Sequence, residues 1–179
     1  MIKDGELGKT IFDFTLTFIG TICISPLLAY IAYRIKKEDP GPVIFKHMRV
    51  GKNGKSFPCY KFRSMCVDAK QMLEKNLREN PEARMEWERD FKLKNDPRVT
   101  PIGEFLRRTS LDELPQIFDI LRGDMSFVGP RPALPNQTRL LELRHENGSD
   151  QLKPGLFGLA QKNGRDQLLE TEKAAYDGE

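Results

Sequence analysis

The stretch Ile11–Ile35, IFDFTLTFIGTICISPLLAYIAYRI, carries only two charged residues, Asp13 and Arg34. A bilayer span needs about 20 predominantly apolar residues, so this segment is suited to lipid. Its flanks are unequal. Lys3, Asp4, Glu6 and Lys9 nearly cancel before it, whereas Arg34, Lys36, Lys37, Lys46 and Arg49 follow it. Positive residues mark the cytoplasmic side of a membrane, which puts the larger C-terminal part in the cytoplasm. Three arrangements compete. A cleaved signal peptide fits worst, because the early flank carries acids and no small-x-small cleavage site is evident. A straight span is the default. Ser25-Pro26 supplies the third: proline removes a backbone hydrogen bond near the middle of the segment, and a serine hydroxyl can partly replace it. A helix broken there would dip into one leaflet and return, leaving both ends cytoplasmic. The residues alone leave the span and the re-entrant form open.

The rest of the chain reads as a small globular part. Of 179 residues, 31% are charged and 39% hydrophobic, enough for one ordinary domain with a core. The net charge of +3 does not call for a nucleic-acid partner. Cys23, Cys59 and Cys66 form no C-x-x-C pair, and His47 and His145 lie far apart, so the spacing gives no zinc site. An odd, unpatterned cysteine set suits a reducing compartment. With no Ser–His or Cys–His signature, any chemistry must run on carboxylates, arginine and lysine.

Turn and cap signals divide this part. Asp39-Pro40-Gly41-Pro42 is a linker. Residues 43–65 alternate apolar and polar around Asn53-Gly54, the signature of a β-hairpin, with Pro58 confining the second arm to an edge or irregular strand. Residues 66–94 are charge-laced and helical, broken at Asn80-Pro81, with a thin stripe of Leu73, Leu77 and Trp87. That pattern predicts a solvated helical pair, and it is the candidate surface for a homodimer or a membrane contact. Thr100-Pro101 reads as N-cap and first residue of a short helix ending near Arg107–Arg108. Residues 125–128 read as a short strand, followed by Gly129-Pro130-Arg131-Pro132. The predicted class is α+β, mostly helical, with a membrane segment over 1–37 and a cytoplasmic domain with a short hairpin over 38–179.

Within RRTSLDELPQIF (107–118), Asp112 and Glu113 stand side by side. Ser110 and Glu113 fit a capping box, the plainest account of these acids. Pro115 argues against it, because proline belongs near a helix start and would push that start to Asp112 or later. Both carboxylates would then sit at a loop–helix junction. Basic residues recur nearby in sequence: Lys61 and Arg63 two apart in KFRSM, Arg107 and Arg108 just before the acids, Arg131 between prolines, and Arg165 in KNGRD. Each alone is most simply a solvated charge. Together they supply fork-shaped donors for phosphate beside two carboxylates able to hold a hard divalent ion, the parts of a phosphoryl-transfer site. GELGKT (5–10) ends like a P-loop, but its first glycine is missing and no strand precedes it.

In order, the Ser-Pro membrane segment, YKFRSM, NDPRVTPIGEFLRRTSLDELPQ, GDMSFVGPRP and LKPGLFGLAQKNGRD resemble the bacterial sugar transferase family over nearly the whole chain. These are monotopic phosphoglycosyl transferases acting on undecaprenyl phosphate. The resemblance implies a re-entrant helix, both termini cytoplasmic at the bacterial inner membrane, and transfer of a sugar-1-phosphate from a UDP-sugar to a polyprenyl phosphate. The products would be a polyprenyl diphosphate sugar and UMP, at the first membrane step of glycan assembly. It implies Mg2+ as cofactor, Asp112 as nucleophile through an aspartyl phosphosugar intermediate, and Glu113 as a metal ligand. It implies phosphate-binding or architectural roles for Lys61, Arg63, Arg107, Arg131 and Arg165, and a metal-site role for Asp177. Phe157 departs from the family's P-G-[IL]-T-G pattern. The chain also stops soon after NGRD, which reads as a C-terminal truncation. The alternative is a membrane-anchored scaffold of glycan assembly without catalysis. The sugar is not legible.

Overall fold

A computed structural model describes residues 4–158 and 169–178. Helix α1 runs from Asp4 to Glu38 and contains Pro26. The sequence anticipates a break at Ser25-Pro26, but the helix continues through it. Pro26 has no N–H for the carbonyl of Ile22, four residues back. The Ser25 hydroxyl donates to that same carbonyl at 2.8 Å, so the freed acceptor keeps a partner. Leu7–Glu38 is apolar and long enough to cross a membrane, and its most apolar window is only 11% buried.

Strands β1 (Ile44–Val50) and β2 (Ser56–Phe62) pair through a 3-10 turn at Lys52–Gly54. Asn53 and Gly54 both take positive φ there, 56° and 74°, as the Asn-Gly signal predicts. Helices α2 (Ala69–Glu79) and α3 (Pro81–Asp90) form the predicted charged pair, with the Asn80 side chain capping α3 at the amides of Glu82 and Ala83. Helix α4 spans Pro101–Thr109, and Thr100 Oγ1 accepts from the Gly103 amide at 3.0 Å. A 3-10 segment, Leu111–Gln116, leads into the short α5, Ile117–Leu121. Then follow β3 (Ser126–Val128), α6 (Thr138–Glu146), a 3-10 turn (Ser149–Gln151), β4 (Gly155–Phe157) and α7 (Glu170–Gly178). Strands β3 and β4 pair in parallel, Ser126 opposite Gly155 and Val128 opposite Phe157.

The chain divides into two compact units that do not follow chain order. One contains the start of α1 up to Ser25, the hairpin residues Lys46–Lys61, and the chain from Pro115 onward. Its core joins Phe57, Cys59, Ile120 and Met125, with a second cluster of Ala133, Leu140 and Ala174. Asp119, wholly buried, braces it: Oδ2 accepts the Tyr60 amide at 2.9 Å and Oδ1 pairs with Arg122 at 2.7 Å. Burial, opposed by those two partners, pushes the Asp119 carboxyl up to about 6.

The other unit contains Pro26–Phe45 and Phe62–Leu114. Ile31 and Ile35, one turn apart on α1, pack with Phe62 and Leu106, flanked by Leu111 and Leu114. Burying such side chains contributes roughly 1.5–3 kcal/mol each.

Candidate active site

Asp112 and Glu113 owe their setting to the leucines around them. In the 3-10 segment three residues complete a turn, so Leu111 and Leu114 share a face, and both pack on the Ile31–Phe62–Leu106 core. The two acids between them fall on the other two sides of the turn, about 120° apart. Asp112 is half-buried and Glu113 is buried. The capping box expected at Ser110 does not form in that role. Ser110 is the C-cap of α4, in the left-handed region at φ 58°, and its carbonyl accepts the Glu113 amide at 3.2 Å. Proline has the effect read from the sequence: with Pro115 inside the 3-10 segment, α5 begins only at Ile117, and both acids sit at the junction.

Helix α4 reaches this junction through an unusually close approach. A Cβ on Gly103 would lie 2.0 Å from the Ser64 carbonyl oxygen, so only glycine lets α4 touch the KFRSM backbone. The Thr100 amide donates to the same oxygen at 3.2 Å, and Arg107 Nε donates to Ser64 Oγ at 2.8 Å. Arg107 is thereby aimed by Ser64 within the unit that holds the dyad. Arg63 is committed differently. Its Nη1 pairs with Asp39 Oδ2 at 2.8 Å and its Nη2 donates to the Asp39 carbonyl.

Lys61, Arg131 and Asp177 belong to the other unit. There the hairpin carries a basic cluster. Burial holds the His47 imidazole below its ordinary value, and the positive charges of Arg49 and Lys61 lower it further. Arg49 Nη1 approaches the Pro132 carbonyl at 3.4 Å, and Val50 bridges Ala133, so the Gly129–Pro132 loop is tied to β1. Nη1 of Arg131 is buried and donates to no acceptor, although Arg131 has another interaction. His47 and Arg49 were not singled out from the sequence as site residues. Their signal was period-two spacing along β1.

Asp177 is buried and bound twice by Arg144, from Nη2 at 2.6 Å and from Nε at 2.9 Å. Burial raises its carboxyl, with Arg144 opposing. A cleft of about 550 Å3 in the same unit is lined by Asn53, Pro130, Arg144, His145, Asp150 and Pro154, among others. Its charges close on themselves, since Arg144 pairs with Asp177 and His145 Nδ1 lies 2.8 Å from Asp150 Oδ2. The hairpin instead gathers His47, Arg49 and Lys61 near one another. Among the described residues, no group of three or more His, Cys, Asp or Glu side chains is arranged to hold a metal ion. Arg165 lies outside the described residues.

The comparisons with known proteins agree with the motif order. The profile described as bacterial sugar transferase matches residues 5–179. The chain is 46% identical over 178 residues to an undecaprenyl-phosphate galactose phosphotransferase of Salmonella typhimurium, covering 98% of this chain and 36% of that protein. It is 45% identical over 166 residues to the UDP-glucose:undecaprenyl-phosphate glucose-1-phosphate transferase of Escherichia coli, covering 89% of this chain and 32% of that one. Against an exopolysaccharide production protein of Rhizobium meliloti it is 42% identical over 175 residues, covering 97% of this chain and 76% of the relative. The chain thus spans about a third of the length of the first two relatives. Matched from residue 5 to its end, and carrying the Asp-Glu dyad at a helix junction, the chain belongs to the bacterial sugar transferase family.

Proposed function

We propose that the chain is the catalytic part of a phosphoglycosyl transferase, moving a sugar-1-phosphate from a UDP-sugar to a polyprenyl phosphate. The observation that carries this reading is the Asp112–Glu113 pair, fixed by Leu111 and Leu114 at a junction where neither acid is needed as a helix cap. Asp112 is the nucleophile. Its carboxylate attacks the phosphorus next to the sugar, the bond from that phosphorus to the UMP oxygen breaks, and UMP leaves with the electron pair. A polyprenyl phosphate oxygen then attacks the same phosphorus. The aspartyl–phosphorus bond breaks, regenerating the carboxylate and giving the polyprenyl diphosphate sugar. Splitting the displacement in two lets one small site serve a water-soluble donor and a lipid acceptor in turn. Successive residues of a 3-10 turn point about 120° apart, so Asp112 can face the phosphorus while Glu113 serves another partner.

Mg2+ is the ion we expect. It takes one or two carboxylates together with substrate phosphates, and Glu113 beside Asp112 offers such a hard oxygen set. When bound, it would neutralise charge on the diphosphate. Asp177 would have to give up Arg144 to join it, so the metal reading rests on Glu113. Arg107, Lys61, Arg131 and Arg165 are proposed for the phosphates, with Arg49 and His47 added by the hairpin cluster.

The proposed seat is the inner membrane, with the catalytic part in the cytoplasm and α1 dipping into one leaflet. Phe12, Phe18, Ile22 and Tyr33 lie on α1 and are each more than half exposed. A continuous apolar face of that kind suits lipid. The relatives named for galactose and glucose favour a hexose as the sugar.

The test is intact-protein mass after mixing solubilised protein, Mg2+, and UDP-galactose or UDP-glucose without lipid acceptor. A gain of one hexose phosphate with release of UMP, absent in Asp112→Asn, is the expected result. Lipid-product turnover in Asp112→Asn should fall by roughly 10^4-fold or more, the order seen when a covalent nucleophile is removed. No adduct with either sugar, together with undiminished turnover by Asp112→Asn, would exclude this role for Asp112.

A further inference from the structure

Helix α1 carries one acid inside its apolar stretch, and that acid is turned away from lipid. Asp13 is 8% exposed, and Ser126 Oγ, fully buried, donates to its Oδ2 at 2.6 Å. Two other polar residues share its helical face. One turn earlier, Lys9 Nζ donates to the Val128 carbonyl at 3.2 Å. One turn later, the buried Thr17 hydroxyl donates to the Asp13 carbonyl at 2.5 Å. Residues 9, 13 and 17 are four apart, so they form one polar stripe, and Lys9 and Asp13 of that stripe meet strand β3. A helix that needed only lipid would have no use for a buried carboxylate, whose desolvation is costly without a partner.

Strand β3 runs directly into Gly129-Pro130-Arg131-Pro132. That loop is clamped on its other side by β4. Gly129 N donates to the Phe157 carbonyl at 3.0 Å, and Gly155 N to the Pro130 carbonyl at 2.8 Å. A Cβ on Gly129 would fall 2.2 Å from the Lys153 carbonyl oxygen, so the loop has no slack toward that strand. Its far end is tied to β1 through Arg49 and Val50, and its near end follows β3, where Ser126 and Val128 are held by Asp13 and Lys9.

We propose that Asp13 is a positioning residue: acting through Ser126, it lets the membrane helix set the place of the Gly129–Pro132 loop, and so of Arg131, for the donor's phosphates. The inference rests on the transferase reading above. It adds that the helix is part of the substrate-binding apparatus as well as an anchor.

The experiment uses the whole chain in lipid nanodiscs, with Asp13→Ala, Asp13→Asn, Ser126→Ala and the Asp13→Ala/Ser126→Ala pair. Two readouts are taken. The first is donor KM and kcat with whichever of UDP-galactose or UDP-glucose is turned over. The second is amide exchange at Ser126 and Gly129, which does not depend on activity. Asp13→Ala and Ser126→Ala should each raise KM roughly ten-fold with kcat little changed, and the double variant should be no worse than either, since they remove one shared contact. Asp13→Asn, which can still accept the Ser126 hydroxyl, should restore KM. Exchange should speed up in both alanine variants and recover in Asp13→Asn. Ser126→Ala deletes a single oxygen and carries the test if Asp13→Ala does not fold. Additive effects, failure of Asp13→Asn to rescue, or a loss confined to kcat and melting temperature would each overturn the proposal. If the wild type turns over neither sugar, the transferase reading fails by itself, and unchanged exchange in the alanine variants would then overturn the clamp independently.

Discussion

Arg63 Nη1 stands 2.8 Å from Asp39 Oδ2, and the same carboxylate oxygen accepts the Val67 amide at 2.7 Å. Asp39 follows α1 directly, so this pair pins the helix exit to the KFRSM segment. Read as sequence, Arg63 is a spare cation for phosphate. In the fold its charge is already answered. Asp39→Ala would leave a buried guanidinium uncompensated, and its Nε already has no acceptor. The expected loss is about 3 kcal/mol, at the low end for a broken buried pair because the Asp39 side chain is 28% exposed. Chemical denaturation of Asp39→Ala beside wild type measures it. A loss below about 0.5 kcal/mol would show that the pair is solvent-screened.

Gly103→Ala should be among the most damaging single-carbon changes near the dyad. Its Cβ would meet Ser64 backbone, which cannot swing aside as a side-chain tip can. Overpacking of this kind costs about 1–3 kcal/mol or more. Because α4 also aims Arg107 through Ser64, donor KM should rise along with the drop in melting temperature. An alanine variant with wild-type melting and KM would rule out the close approach.

Stability should fall as pH rises from about 4 to about 6. Asp119 titrates near 6 when folded and near 3.8 when unfolded. In that window the folded state holds a proton that the unfolded state has released, so the contribution is fully present below the lower value and is lost through the upper one. The expected size is of order 1–3 kcal/mol. Asp119→Asn keeps an acceptor for the Tyr60 amide and should flatten this slope. An unchanged slope in Asp119→Asn would assign it to other groups.

His47 should report anion binding at the hairpin. Its imidazole is held down by burial and by Arg49 and Lys61, so it is neutral near pH 7. A bound diphosphate offsets those cations, and the imidazole should then titrate higher. An NMR titration of His47 with and without UDP tests this, and Lys61→Ala should raise the apo value as well. No response to UDP would place the phosphates elsewhere.

Local signals in the chain proved dependable. The apolar run of α1, the Asn53-Gly54 turn, the Asn80-Pro81 and Thr100-Pro101 helix starts and the delay imposed by Pro115 all appear where nearby residues indicate. Each depends on backbone and side-chain chemistry within a few positions, which the order of residues specifies. The Ser110 cap misled because the same S-x-x-E spacing also suits a helix end, and only the arrival of α4 made Ser110 its left-handed C-cap.

The membrane-suited helix, the hairpin, the short capped helices, the Asp112–Glu113 dyad and the family are all written in the order of residues. Which charges answer one another depends on packing between distant parts of the chain. Arg63 met Asp39 24 positions away, Arg144 met Asp177 33 away, and Asp13 met Ser126 113 away. No local pattern encodes such pairs. Each forms because folding removes at least one partner from water, and a buried charge or hydroxyl must then find its complement wherever the packing brings one.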